Sequence, residues 1–158
     1  MSDRPESSPQ WLDDDEMRFW RAWIISSTLL DGRLNRDLQD GHGLSHTDYG
    51  VLVVLSEQDG HRMRMSALAE TLAMSKSRLS HQVSRMAKDG LVRRDDDTSD
   101  GRGIFACLTP AGYERLTAAA PTHVAGVRRY VVDLLDARER AEATVFLERV
   151  VEGLRECP

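Results

Sequence analysis

The stretch from Ser66 to Thr109 limits the possible folds of this chain more than any other, because it holds two short helical patterns and a strand pair. The apolar residues Leu68 and Leu72 indicate the first helix, and the second is predicted over residues 75–88. Apolar residues recur at three- and four-residue steps in the second helix, which leaves its polar and basic residues outside. This spacing is typical of a helix-turn-helix.

The chain beyond the second helix predicts a β-wing. Gly90 supplies a residue that tolerates the left-handed conformation and so ends the helix. Residues 91–94 and 104–108 are short strand-like runs, and the segment that joins them, residues 95–102, is a polar loop. A strand pair of this kind directly after a helix pair is the order expected of a winged helix-turn-helix.

The wing loop also carries a motif. Asp100-Gly101-Arg102, five further residues and then Leu108-Thr109 resemble the Asp-x-Arg-x5-Leu-Thr wing signature of the MarR family of winged helix-turn-helix regulators. The likeness covers roughly residues 17–154. It implies a mainly α fold with a small β-wing, in which the N- and C-terminal helices form a dimerisation region. It also implies that Arg102 enters the minor groove of DNA and that Asp100 holds it in place.

The order of the patterns predicts three regions. Residues 1–10 are rich in Ser, Pro and acids and are expected to be a flexible acidic tail. Residues 11–40 and 110–158 carry long apolar stripes and are assigned to the helical dimerisation region. Residues 41–109 are assigned to the winged helix-turn-helix DNA-binding region. The stripes carry more apolar surface than one small domain needs in order to fold, and a two-fold homodimer would bury the remainder.

Local signals predict several helix ends. Gly32 interrupts the first long stripe, at a cost of about 1 kcal/mol relative to Ala, and allows a break there. The pattern Ser45-x-x-Asp48 predicts a capping box that begins the next helix. After the wing, Thr109 is a favourable N-cap, and Pro121 should break or kink the helix that follows.

The net charge of −5 is unusual for a nucleic-acid binder, but the charge is unevenly distributed. Residues 1–16 carry six acids and one arginine, a net charge of −5. Residues 61–94 carry eight cations and two acids, a net charge of +6. The positive field therefore coincides with the predicted helix-turn-helix.

The predicted DNA contacts centre on the second helix of the pair. Arg78, Gln82 and Arg85 are candidates for base edges, because Arg suits guanine and Gln suits adenine. The cations and hydroxyls around them are candidates for phosphate contacts. The predicted DNA-binding residues are Ser66, Ser75, Lys76, Ser77, Arg78, Ser80, His81, Gln82, Arg85, Lys88, Arg94, Asp100 and Arg102. In a dimer, two such helices would read double-stranded DNA with half-sites about 34–36 Å apart.

These features predict a homodimeric, sequence-specific transcriptional regulator, a repressor, that binds a palindromic operator. The resemblance implies release by a small aromatic or anionic effector in a crevice between the dimer helices and the DNA-reading lobe. Trp20, Trp23 and Asp48, with Arg21 or Arg85, are the candidates to line it, although tryptophans on an apolar stripe more often belong to a core and the capping box already explains Asp48. The alternative is a winged-helix protein–protein interaction module without specific DNA binding.

Other chemistries lack a residue pattern. The acidic wing loop fits the first half of an EF-hand, but Cys107 stands where its bidentate Glu is required. The five histidines are scattered, and the only cysteines are Cys107 and Cys157, whereas peroxide sensors of the resembled family use a cysteine in the first helix. Nucleophile elbow, P-loop and metal-ligand motifs are missing from the sequence, so we expect neither metal, cofactor nor enzyme activity.

The sequence also predicts the compartment. No apolar run approaches the length that spans a membrane, and the N-terminal residues are acidic where a signal peptide would be basic. Two widely separated cysteines without a pairing pattern are natural in a reducing environment. We therefore expect a cytoplasmic protein with no membrane partner.

Overall fold

The computed structural model describes residues 9–96 and 103–156, which form six α-helices around a small antiparallel sheet. The helices are α1 Asp14–His42, α2 His46–Ser56, α3 Met65–Thr71, α4 Lys76–Lys88, α5 Pro110–Tyr130 and α6 Ala137–Glu156. The strands are β1 Arg62–Arg64, β2 Val92–Asp96 and β3 Ile104–Leu108. The predicted mainly α fold with a small β-wing is therefore confirmed. None of the helices within the described ranges has the length and hydropathy needed to cross a bilayer.

One apolar core lies between α2, α3, α4 and the sheet, and Leu38 of α1 and Leu116 of α5 also belong to it. Leu52 and Leu55 of α2 have no exposed surface, and α4 contributes its predicted stripe of Leu79, Val83 and Met86. Full burial of such a side chain stabilises the fold by about 1.5–3 kcal/mol relative to exposure. Because α4 is held along this stripe, its opposite face is fixed toward solvent.

The sheet has the order β1-β3-β2, with both neighbours antiparallel to β3. The β2–β3 hairpin is the predicted wing, and its register pairs Val92 with Leu108 and Arg94 with Ala106. The short β1 adds a third strand that pairs Met63 with Ala106. The wing is thereby attached to the start of the helix pair as well as to its end.

α1 is one continuous helix. A capping box begins it, since Asp13 Oδ1 accepts a hydrogen bond from the Glu16 N–H at 2.8 Å and Glu16 Oε2 accepts one from the Asp13 N–H at 2.9 Å. The break that Gly32 allows does not occur, because the same helix packs against α5 further along. It ends at Gly43, whose φ of 64° is the left-handed conformation that glycine adopts without steric cost.

α5 begins where the sequence predicts, but it does not break at Pro121. Thr109 Oγ1 accepts a hydrogen bond from the Gly112 N–H at 3.0 Å, and the helix continues to Tyr130. An internal proline costs about 3 kcal/mol because it removes an N–H donor and crowds the preceding turn. Contacts with α1 hold the second half in place, among them the hydrogen bond from Tyr130 OH to Asp37 Oδ2 at 3.1 Å.

α6 has no buried residue in the protomer. Its Phe146 ring packs edge-on against the rings of Phe19 and Trp23 on α1, with centroids 5.6 Å apart in each pair. The rest of its apolar surface is open to solvent together with part of α1. We call this surface the apolar terminal face, and its exposed large residues include Phe19, Trp20, Ile24, Ile25, Leu29, Val145, Leu147, Val151 and Leu154.

Candidate nucleic-acid interface

The outward face of α4 carries most of the predicted DNA-binding residues. Ser75 caps this helix, because its Oγ accepts a hydrogen bond from the Arg78 N–H at 3.2 Å. Ser66, at the start of α3, and Ser75 are also exposed. The exposed residues on α4 itself include Lys76, Ser77, Arg78, His81, Arg85 and Lys88, whereas Ser80 and Gln82 are half-buried. The structure thus brings these cations and hydroxyls onto one surface.

Two of the three base-edge candidates are bound by one buried carboxylate. Asp48 in α2 is 2% exposed, and its Oδ1 accepts hydrogen bonds from Arg85 Nη2 at 2.6 Å and from Gln82 Nε2. Its Oδ2 accepts from the Ser45 N–H at 3.0 Å and the Ser45 hydroxyl at 2.6 Å. Asp48 therefore completes the predicted capping box of α2 and at the same time holds α4. We call this set of contacts the Asp48 tether.

The Asp48 tether leaves Arg85 able to bind a further group. The hydrogen bond to Asp48 is the main cause that raises the pKa of Arg85, whose side chain stays 52% exposed. A guanidinium has five N–H donors, and the tether uses one of them. The tether therefore limits the orientation of Arg85 without consuming its capacity to donate to a base or a phosphate.

The sequence predicts the capping role of Asp48 and offers Arg85 as a neighbour in a crevice, but it does not predict the direct hydrogen bonds from Arg85 and Gln82 to Asp48. The sequence did contain a hint of this contact, because Asp48 lies in a helix that is otherwise apolar on nearly every side. A carboxylate in a buried helix needs a charged or hydrogen-bonding partner. The partner could have been sought among the cations of α4, although no local spacing identifies which one.

Arg94 connects the wing to α4. Its Nη1 donates a hydrogen bond to Ser84 Oγ at 3.0 Å, and the side chain is exposed. The two other predicted wing residues, Asp100 and Arg102, lie outside the described residues. The side chain of Arg94 thus has a defined position beside α4, whereas the roles of Asp100 and Arg102 remain predictions from the wing motif.

The opposite face of the sheet carries further cations that sequence reasoning did not single out. Arg93 bonds to Asp95 through Nε at 3.0 Å and Nη2 at 2.9 Å, which raises the pKa of Arg93 and lowers that of Asp95. The Arg62 guanidinium lies 4.0 Å from the centroid of the Phe105 ring. Successive residues of a strand alternate between faces, so these groups point away from the side that Arg94 shares with α4.

Cys107 in β3 does not have the setting of a reactive thiol. Burial raises its pKa, and its hydrogen bond to Asp95 Oδ2 at 3.3 Å raises it further. The thiolate is the nucleophilic form, so a raised pKa makes the group unreactive near neutral pH. Within residues 9–96 and 103–156, no three or more His, Cys, Asp or Glu side chains are grouped to hold a metal ion.

The structure does not bring Trp20, Trp23 and Asp48 together in the described part of one protomer. Asp48 is buried in α2, whose first N–H, that of His46, bonds to Asn35 Oδ1 of α1 at 3.0 Å. At 1.5 Å per residue, Trp23 is about 18 Å along α1 from Asn35. Trp20 lies still further away and is 49% exposed. A single crevice lined by all three residues is therefore not formed within the protomer.

Comparison with known proteins identifies the family of the chain. The family model described as "MarR family" matches residues 42–103, which include α2, the helix pair and β2. AbsC, a MarR family transcriptional regulator from Streptomyces coelicolor, is 47% identical, with a TM-score of 0.89 over 93% of this chain and 99% of that chain. Sco3205, a MarR family transcriptional regulator from the same organism solved in complex with DNA, is 44% identical, with a TM-score of 0.90 over 92% of each chain.

A curated relative gives a shorter match. The HTH-type transcriptional repressor YetL of Bacillus subtilis (strain 168) is 32% identical over 83 residues, which are 52% of this chain and 50% of YetL. The matched part is therefore about half the length of that relative, whereas the two Streptomyces structures match over nearly their whole length. Sequence identity and fold agree over most of the chain, and the protein belongs to the MarR family of winged helix-turn-helix transcriptional regulators.

Proposed function

We propose that this protein is a homodimeric transcriptional repressor that binds a palindromic operator in double-stranded DNA. The observation that carries the proposal is the Asp48 tether, which holds the half-buried Gln82 and the exposed Arg85 at the cationic face of α4. Holding base-reading side chains in place before DNA arrives favours binding, because ordering them during binding costs free energy. The DNA complex of the 44% identical Sco3205 and the name of YetL as a repressor support this assignment.

The remaining predicted residues fit a division between base and phosphate contacts. Arg78, Gln82 and Arg85 are proposed to face base edges in the major groove. The wing would reach the adjacent minor groove through Arg102, supported by Asp100. The proposed phosphate contacts, which set register rather than sequence preference, are Ser66, Ser75, Lys76, Ser77, Ser80, His81, Lys88 and Arg94.

A second copy of the chain is the proposed cover of the apolar terminal face. A 20-residue helix without a buried residue, as α6 is here, gains too little from the protomer alone to stay in place. Contiguous exposed apolar surface of this kind marks an interface, and the two-fold homodimer is the commonest closed assembly. Such a dimer would place two α4 helices for successive major grooves, about 34–36 Å apart.

A small aromatic or anionic effector is the proposed release signal, acting in the cytoplasm. Trp20 is half-exposed on the apolar terminal face, and Trp23 packs against Phe146 beside it. A site that uses these rings would therefore lie next to the proposed dimer interface. Asp48 would take part indirectly, through its hold on α4.

The proposal is tested by selecting fragments from the genome that encodes the chain and measuring their binding by fluorescence anisotropy. We expect a palindrome among the selected fragments and two chains per duplex by sedimentation. A protein that neutralises six to ten phosphates should lose roughly 10³ to 10⁵ in affinity between 50 and 200 mM salt. A chain that selects no fragment at 50 mM salt, or sediments as a monomer at micromolar concentration, would refute the proposal.

Replacing Arg78 with Ala should weaken binding to the selected fragment by about 1–3 kcal/mol and binding to a random duplex by much less, because a base contact is lost. The matched control is Arg138→Ala, which removes an 85% exposed arginine from α6, outside the winged region. That variant should bind both duplexes like the wild type. Equal losses on both duplexes for Arg78→Ala would show that Arg78 contacts phosphate instead.

A further inference from the structure

Two histidine rings from distant parts of the sequence meet where α1, α2 and α5 come together. His46, the first residue of α2, and His123 of α5 have ring centroids 5.5 Å apart. The ring of Tyr49 packs against the His123 ring, with the two centroids 4.4 Å apart. His46 Nδ1 also donates a hydrogen bond to Asp31 Oδ1 of α1 at 2.7 Å. We call these four residues the histidine junction.

The histidine junction connects the helix that follows the wing to the helix that carries Asp48. Pro121 lies two residues before His123 and removes a backbone donor from this part of α5. Between them, Thr122 Oγ1 shares a 2.8 Å hydrogen bond with His42 Nε2 at the end of α1. Side-chain contacts with α1 and α2 therefore hold α5 at a point where its own backbone ladder is interrupted.

His123 is packed in a way that suits only the neutral ring. Its Nδ1 is buried and has no hydrogen-bond partner in the part of the chain that the structure describes. A neutral imidazole can leave one nitrogen without a proton, but a protonated ring carries N–H donors on both. A charged donor that is buried without an acceptor is costly. Burial, and then the neighbouring His46, lower the pKa of His123 below its ordinary value of 6.5.

The charged and titratable groups of the surrounding helices do not offset this cost. The carboxylate of Asp31 is bonded to His46 rather than to His123. Arg78 of α4 lines a 280 Å³ cavity together with His46, and His123 does not border that cavity. The titratable groups whose rings pack on His123 are His46 and Tyr49 of α2, and His42 of α1 bonds to the adjacent Thr122.

We propose that the histidine junction is a pH-sensitive contact, in which protonation of His123 favours a released state of α5 whose ring reaches water. The ratio of packed to released protein is highest above pH 6.5 and decreases as the pH falls, because the released ring binds a proton more readily than the packed ring. The consequence for DNA binding rests on the proposed function. Release at α2 would loosen the helix that carries Asp48, and with it the Asp48 tether of α4.

The size of the effect follows from the two protonation states. A released ring with the ordinary pKa of 6.5 holds about ten protonated forms for each neutral one at pH 5.5. If the packed ring stays neutral, the ratio of packed to released protein falls by up to about tenfold between pH 7.5 and 5.5. This ratio is what amide hydrogen exchange measures as a protection factor.

The test is hydrogen exchange on the full chain at pH 7.5 and 5.5, with rates corrected for their intrinsic pH dependence and EDTA present to remove metal ions. Protection at residues 118–128 and 45–50 should fall by up to about tenfold in the wild type. His123→Phe keeps a ring against Tyr49 but cannot titrate, so its protection should change less than twofold. His123→Gln, which is neutral and polar, replaces it if the Phe variant does not fold.

The control is His61→Asn, which removes an exposed histidine outside the junction and accepts the φ of 52° at that position. It should keep the wild-type pH response. An equal fall in His123→Phe and the wild type, or a wild type whose protection does not change, would overturn the proposal.

The affinity of the protein for the selected DNA fragment gives a second readout. We expect His123→Phe to bind more tightly than the wild type at pH 5.5 and equally at pH 7.5. A chain that binds no DNA at either pH would refute the proposed function, while the exchange result would still decide the histidine junction.

Discussion

Asp48→Ala is expected to lower the free energy of unfolding by about 2–4 kcal/mol and to weaken binding to the selected operator strongly. The substitution removes a capping-box acceptor, which is worth about 0.5–2 kcal/mol, and charge-assisted hydrogen bonds of about 1.5–3 kcal/mol. The half-exposed Arg85 can regain water, which keeps the loss below that of a fully buried pair. Arg85 and Gln82 would then have to be ordered by the DNA itself, at a cost to affinity.

Urea unfolding and anisotropy measure the two effects, and Asp133→Ala is the matched control. Asp133 forms a similar 2.6 Å ion pair with Arg128, but both side chains are exposed, so its loss should cost at most about 1 kcal/mol. A double-mutant cycle with Arg85→Met should give a coupling of about 0.5–3 kcal/mol to Asp48. Additive effects of the two substitutions would show that the tether does not couple α2 to α4.

Gly112→Ala is expected to destabilise the protein by about 3 kcal/mol, at the upper end of the range for overpacked sites. A Cβ at this position would lie 2.0 Å from the carbonyl oxygen of Leu91 and 2.8 Å from Leu108 Cδ1. The Leu91 oxygen cannot move freely, because it accepts hydrogen bonds from the N–H and hydroxyl of Thr109 at 3.2 and 3.0 Å. The start of α5 would therefore be pushed away from the base of the wing.

Gly41→Ala makes the same chemical change where nothing lies within 4 Å of the added Cβ. Because alanine is the better helix former, this variant should be as stable as the wild type or up to about 1 kcal/mol more stable. Thermal and urea unfolding monitored by circular dichroism compare the two variants. A Gly112→Ala protein as stable as Gly41→Ala would show that the contact between α5 and the wing can relax.

The features that the sequence predicted correctly depend on residues a few positions apart. The Ser45–Asp48 capping box, the stripe of Leu79, Val83 and Met86, and the Thr109 cap all arise from spacings of three or four residues. Such spacings determine which groups meet on one helix whatever surrounds it. The wing followed from two short strand patterns separated by a polar loop. The exposed face of α4 and its charges could therefore be predicted from the sequence.

The features that the sequence could not determine depend on which helices touch. Gly32 and Pro121 signal breaks locally, yet α1 and α5 continue because each packs against the other over a long contact. The tether between Asp48 and Arg85 spans 37 residues of sequence, and the pairing of His46 with His123 joins different helices altogether. By itself the sequence determined where helices begin, which face of α4 is basic and where the wing lies. The tertiary structure alone decided which distant partners the buried polar groups find, because that choice is made by packing between segments whose separation in sequence carries no periodic signal.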